Sequence, residues 1–103
     1  MALFDVAGVQ QRLEAGTGGY EIVHRSPGLE IGVYVLVAPE PDHQSPHEDD
    51  EVYVVLEGRG VLTVEEDRIQ VEKGKAVFVP AGAGHRFTGY EGLSLLVIFT
   101  RPA

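Results

Sequence analysis

The stretch Gly74-Lys-Ala-Val-Phe-Val-Pro80-Ala-Gly82-Ala-Gly-His85-Arg-Phe87 decides the fold. It reads as a strand, Gly74–Val79, that runs into a Pro/Gly turn and delivers a histidine onto the strand that follows. Upstream, His47 and Glu51 precede Val52-Tyr-Val-Val-Leu-Glu57-Gly58. Two further side chains of metal-ligating type therefore stand at the start of another strand.

Outward from this stretch, only the first fifteen or so residues have helical spacing. Val6, Val9, Gln10 and Leu13 recur at helix-like intervals, and Ala15-Gly16-Thr-Gly18-Gly19 ends the segment. The rest punctuates as strands: Tyr20–Arg25, Glu30–Val37, Glu51–Leu56, Val61–Val64, Ile69–Val71, Gly74–Val79, His85–Thr88 and Leu93–Phe99. Ser26-Pro-Gly28, a Pro-rich passage from Pro39 to Pro46, Glu57-Gly-Arg-Gly60 and Glu65-Glu-Asp67 separate them. Short strands with frequent turn signals predict an all-β sandwich or barrel. Gly58 and Gly60 read as hairpin glycines needing positive φ. With no helix after them, they do not read as a phosphate cradle. The run Ile31-Gly-Val-Tyr-Val-Leu-Val37 is apolar on both faces. One face can fill a barrel, and the other needs a cover from the N-terminal segment or a second subunit.

Composition narrows the function. A chain of 103 residues predicts one domain, spanning 1–103 with a barrel core over about 20–100. Folding at that size buries about two-thirds of the unfolded chain's surface, enough for a core without staples. There is no cysteine, which excludes disulfides and leaves only nitrogen and oxygen as metal ligands. The formal charge of −8 opposes binding to a phosphate backbone, so nucleic acid is not an expected partner. The apolar run from Ile31 to Pro39 is far short of the ~20 residues a membrane helix needs. Asp5 stands where a secretory leader has basic residues, so the expectation is a cytoplasmic protein without a membrane partner.

Gly74, Pro80, Gly82 and His85 match Gly, five residues, Pro, one residue, Gly, two residues, His. His47, Glu51 and Gly58 match His, three residues, Glu, six residues, Gly. With these two motifs the chain resembles the cupin superfamily over Pro39 to Gly89, about half its length. Three positions depart from the family pattern: Pro39 for an opening glycine, Ser45 for the first of a pair of histidines, and Gly89 for a final asparagine. The resemblance implies a cupin double-stranded β-helix, a jelly-roll-like β-barrel, here with a short N-terminal helical segment. It implies a homodimer, and one divalent transition metal (iron, manganese, zinc or nickel) on His47, Glu51 and His85.

Geometry constrains that ligand set. Along one continuous strand His47 and Glu51 would lie about 13 Å apart, so the chain must reverse between them, and Glu48-Asp49-Asp50 suits the turn. Alternation sends Glu51, Tyr53 and Val55 to one face and Val52, Val54 and Leu56 to the other; His85 and Phe87 share a face by the same rule. The inferred pocket holds two imidazoles and a carboxylate, with Tyr53 and Phe87 as candidate substrate-binding walls. For the histidine replaced by Ser45 there are several substitutes. His43 serves if Pro41 and Pro46 bend the backbone inward, Gln44 if a bulge reverses parity, or else Ser45 itself or water. His24, two strands away, reads as a surface residue, and a serine nucleophile lacks an oxyanion hole.

Two histidines and a carboxylate with open positions describe the facial triad of non-haem iron oxygenases and equally a catalytic zinc site. One expectation is an enzyme acting on a small metal-chelating molecule by oxygenation, isomerisation or decarboxylation, with Glu51 as ligand and catalytic proton acceptor. A second is a non-catalytic module binding a small metabolite or sugar. A third is a barrel that has lost its metal.

Overall fold

The computed structural model describes residues 1–37, 42 and 46–101. One helix, α1 (Val6–Ala15), precedes six strands: β1 (Gly19–Ser26), β2 (Leu29–Leu36), β3 (Asp50–Val64), β4 (Asp67–Glu72), β5 (Ala76–Val79) and β6 (His85–Thr100). All pairings are antiparallel. Their order is β1-β2-β6-β3-β4, with β5 on β3.

Two long strands organise the barrel. β3 and β6 pair from Asp50↔Thr100 to Val64↔His85, with register shifts between Val55 and Val61. One half of β3 carries β5, through Glu51↔Val79 to Val54↔Ala76; the other carries β4, through Arg59↔Glu72 to Val64↔Asp67. The bend between the halves depends on Gly58, at φ 81°. A Cβ there would collide with the backbone carbonyls of Glu91 and Gly92 on the facing strand.

This corrects two expectations. Glu57–Gly60 is no hairpin but a bulged stretch inside β3, and Gly60 does not have positive φ. His85–Thr88 and Leu93–Phe99 form one strand, bent at Gly89 (φ 56°) and Gly92 (φ 51°). Positive φ suits a bulge as well as a hairpin. The turn at Glu65 is a true hairpin, with Glu65 at φ 53°.

The interior contains Leu36, Val55, Leu62, Val71, Val79, Phe87, Leu93, Leu95 and Val97. β2 is apolar on both faces, as its sequence requires. Leu36 joins the interior and Tyr34 packs against it, so Val33 and Val35, 0% and 2% exposed, face outward by alternation. The cover is α1, which packs on β1, β2 and β6. Asp5 caps this helix by accepting from the Gly8 N–H at 3.0 Å. Ser94, paired with Val35, donates from Oγ to Glu14 Oε2 at 2.8 Å. The N-terminal segment thus supplies a cover for this face. Burying each valine contributes about 2 kcal/mol.

Candidate metal centre

The Pro/Gly turn that delivers His85 also fixes His47. Gly82, at φ 79°, donates its N–H to the His47 carbonyl at 2.7 Å, and the Ala81 N–H donates to Asp50 Oδ1 at 2.9 Å. Bends at Glu48 and Asp49 make the predicted reversal, although His47 lies on no strand. Glu51 follows on β3 and His85 opens β6.

One donor atom from each of His47, Glu51 and His85 lies within 4.8 Å of the others. The Glu51 and His85 side chains are each 1% exposed, with Oε1 and Nε2 3.0 Å apart. Despite that proximity, neither Glu51 oxygen receives a well-aligned hydrogen bond, and His47 Nε2 is buried without a partner. A buried polar atom left unsatisfied costs about 1–3 kcal/mol, and a carboxylate costs more. Three donors converging within that distance make a set that fits a divalent cation, which would satisfy all of them at once.

Hydrogen bonding orients His85. Its Nδ1 lies 2.9 Å from the Ala83 carbonyl, which can only accept, so Nδ1 carries a hydrogen and Nε2 faces Glu51. Burial pulls the His85 pKa down, but the Glu51 carboxylate and Ala83 carbonyl, with Asp42 further off, outweigh it and raise the pKa above the usual histidine value. The Tyr53 hydroxyl lies 3.0 Å from Nε2.

Above the cluster opens a cavity of about 570 Å³, walled by Tyr20, Tyr34, Tyr53 and Phe99, with Glu30, Asp49 and Arg101 also lining it. Tyr20 donates to Glu30 Oε2 and Tyr34 to Asp42 Oδ1, both at 2.8 Å. Burial and these carboxylates push both phenols up from their ordinary pKa, so they stay protonated. Asp42 is buried, and its Oδ2 accepts the Phe87 N–H at 2.8 Å, tying that residue to β6.

The expected residues thus fall into place unequally. His47, Glu51 and His85 come together, Tyr53 lines the cavity, and Phe87 packs behind Tyr53 with ring centroids 4.9 Å apart. His43, Gln44 and Ser45 lie outside the described residues, as does Pro39. His24 bonds Ser26 Oγ at 3.0 Å, away from the cluster. Tyr20, Tyr34, Phe99 and Asp42 are site residues that sequence reasoning missed. The register Tyr20↔Tyr34 was available from strand pairing, whereas nothing local marks Asp42.

A family model describing the cupin domain matches residues 33–99. The chain is a cupin. The uncharacterized protein SCO3923 of Streptomyces coelicolor is 38% identical over 103 residues, 99% of this cupin and 98% of that protein. The acireductone dioxygenase of Leishmania major is 36% identical over 75 residues, 67% of this cupin but 22% of that enzyme, so the match spans about a fifth of the enzyme. Among solved structures, TT1209 from Thermus thermophilus superposes with a TM-score of 0.81 at 29% identity, over 99% of this cupin and all of that chain. The barrel is therefore a cupin jelly roll. Among the described residues no helix is long and apolar enough to cross a membrane.

Proposed function

We propose that this cupin holds one divalent transition metal on His47, Glu51 and His85 and acts on a small chelating molecule in the cavity above. The observation that carries the reading is the set of buried, unsatisfied donors, His47 Nε2 and both Glu51 oxygens, converging on His85 Nε2. Bound there, the metal supplies Lewis acidity and open positions for a chelating ligand.

The chain's own groups supply the rest. Tyr20, Tyr34 and Phe99 give the ligand an aromatic wall, and Glu51 provides a carboxylate oxygen able to take a proton from it. Similarity to acireductone dioxygenases favours oxygenase chemistry over isomerisation or decarboxylation. Iron, manganese, zinc and nickel are the metals to try.

Elemental analysis of protein purified without a tag or added metal tests the first half; one metal per chain is expected, falling below a tenth in His47→Ala, Glu51→Ala and His85→Ala. Full occupancy in His85→Ala would remove this ligand set. Oxygen uptake with an acireductone tests the second half. A metal-loaded protein that binds the compound without consuming oxygen would leave a binding module.

A further inference from the structure

Gly32 stands in the middle of β2, a place where glycine weakens a strand and often marks a close approach. Its φ is not positive, so space, and not backbone conformation, calls for glycine there. A Cβ at Gly32 would overlap the Cε1, Cζ and hydroxyl of Tyr20. By alternation Glu30, Gly32 and Tyr34 share one face of β2. Glu30 and Tyr34 line the cavity above the metal centre, whereas Gly32, between them, is buried and does not. The Tyr20 ring covers it.

Strand pairing and a hydrogen bond hold the ring in that place. Tyr20 pairs with Tyr34, so Gly32, the partner of Ile22, is its diagonal neighbour on the same face. The Tyr20 hydroxyl donates to Glu30 Oε2 at 2.8 Å, while Arg25 holds the other oxygen, Oε1, through Nη2 at 3.0 Å and Nε at 3.1 Å. One side of the ring thus rests on β2 and the other is turned to the cavity. Tyr34 and Phe99 stand nearly perpendicular to it, with ring centroids 6.1 and 6.4 Å away, and Phe99 meets His47 at 5.0 Å. The aromatic wall therefore runs from a proposed metal ligand out to Tyr20, which is 40% exposed.

We infer that Tyr20 is a specificity-determining residue and Gly32 the positioning residue that seats it: the ring offers its free side to a planar group on the ligand, and so favours aromatic chelators over compact ones with the same chelating head. The inference rests on the metal-bound ligand proposed above. A planar group laid on that ring gains aromatic stacking and buried area, and a methyl group in its place gains no stacking and far less area. Any side chain in place of Gly32 lifts the ring off β2 and draws its hydroxyl from Glu30, which removes the wall without touching a metal ligand.

Benzohydroxamate and acetohydroxamate chelate through the same pair of oxygens and differ only in phenyl against methyl. Their affinities for the cobalt(II)-loaded protein, each divided by that for free cobalt(II), provide the test. Wild type is expected to prefer benzohydroxamate by about tenfold, from stacking and burial of the phenyl group. Tyr20→Ala and Gly32→Ala should each lower that preference by about threefold or more, and Tyr20→Phe, which keeps the ring, should retain it. With Tyr20 already replaced by alanine, Gly32→Ala should change the preference by less than about twofold, because the two act through one ring. No preference in cobalt-loaded wild type, or an unchanged one in Tyr20→Ala, overturns the inference and leaves the metal site standing. A preference lost in Tyr20→Phe assigns selection to the hydroxyl and overturns the role of the ring. A further loss when Gly32→Ala is added to Tyr20→Ala overturns the positioning role. If Gly32→Ala alone does not fold, adding Tyr20→Ala must restore folding, since the overlap is gone, and a double variant that stays unfolded overturns that role too. A wild type that binds no cobalt sinks the metal reading, and this inference with it.

Discussion

Replacing Glu51 by methionine should stabilise the metal-free protein while destroying its response to metal. Methionine has similar volume and no polar atom to leave buried. In wild type both carboxylate oxygens are buried and lack well-aligned partners, at about 1–3 kcal/mol each. Against that gain stands the lost pairing with His85, and the sign of its pH dependence can be worked out. The folded pKa of His85 is raised, so the pairing is fully present below about 6.5, the unfolded value, and fades as pH rises through the folded pKa. Above it His85 is neutral in either protein, held by the Ala83 carbonyl and the Tyr53 hydroxyl. Above that folded pKa the net gain is about 2 kcal/mol, which for a domain of this size raises Tm by about 10 °C. It should shrink toward pH 6. Metal at a hundredfold excess over Kd adds about 2.7 kcal/mol to wild type and nothing to the variant. Calorimetry of both metal-stripped proteins at pH 6 and above the folded pKa decides. A Glu51→Met variant less stable than wild type above that pKa would refute the reasoning, because it would mean the carboxylate is satisfied without metal.

Proton competition at His85 should make apparent metal affinity rise about tenfold per pH unit up to its raised pKa and flatten above it; calorimetric titration in buffers of different ionisation enthalpy counts the proton released. Gly58→Ala combines positive φ with overlap on the Glu91 and Gly92 carbonyls, so a loss of about 3 kcal/mol or more is expected in the urea midpoint. Asp42→Ala removes acceptors from the Tyr34 hydroxyl and the Phe87 N–H, and should cost about 2–4 kcal/mol by the same measurement. The chain is proposed to form a homodimer, as its family resemblance implies. Sedimentation equilibrium should return twice the chain mass, and a monomer at micromolar concentration would count against the proposal.

Most of the site was legible because alternation is strict. Placing Glu51 inward forces Tyr53 and Val55 inward too, and all three are buried. His85 and Phe87 follow by the same rule. Gly58 was misjudged because positive φ serves a hairpin and a mid-strand bulge alike, and only the facing Gly92 carbonyl tells them apart. β6 was split for the same reason at Gly89 and Gly92. Asp42 was invisible because it falls in a Pro-rich passage of sequence with no periodic pattern, so nothing local pairs it with Tyr34 and Phe87. The aromatic wall needed a register, Tyr20 opposite Tyr34, that only strand pairing supplies.

The β3–β6 ladder would also govern when a metal could reach the proposed site. Glu51 and His85 meet once β3 has taken both β5, through Glu51↔Val79, and β6, whose pair Asp50↔Thr100 closes a loop of fifty residues. Such distant pairings form late, since loop-closure entropy is lost before contacts offset it. An unfolded chain therefore offers no preformed trap for the ion. An ion at the proposed site would enter a barrel that has already closed, so it should slow unfolding and leave the folding rate unchanged. In a chevron the whole effect of metal falls on the unfolding limb, and the loaded protein outlasts the stripped one without folding any sooner.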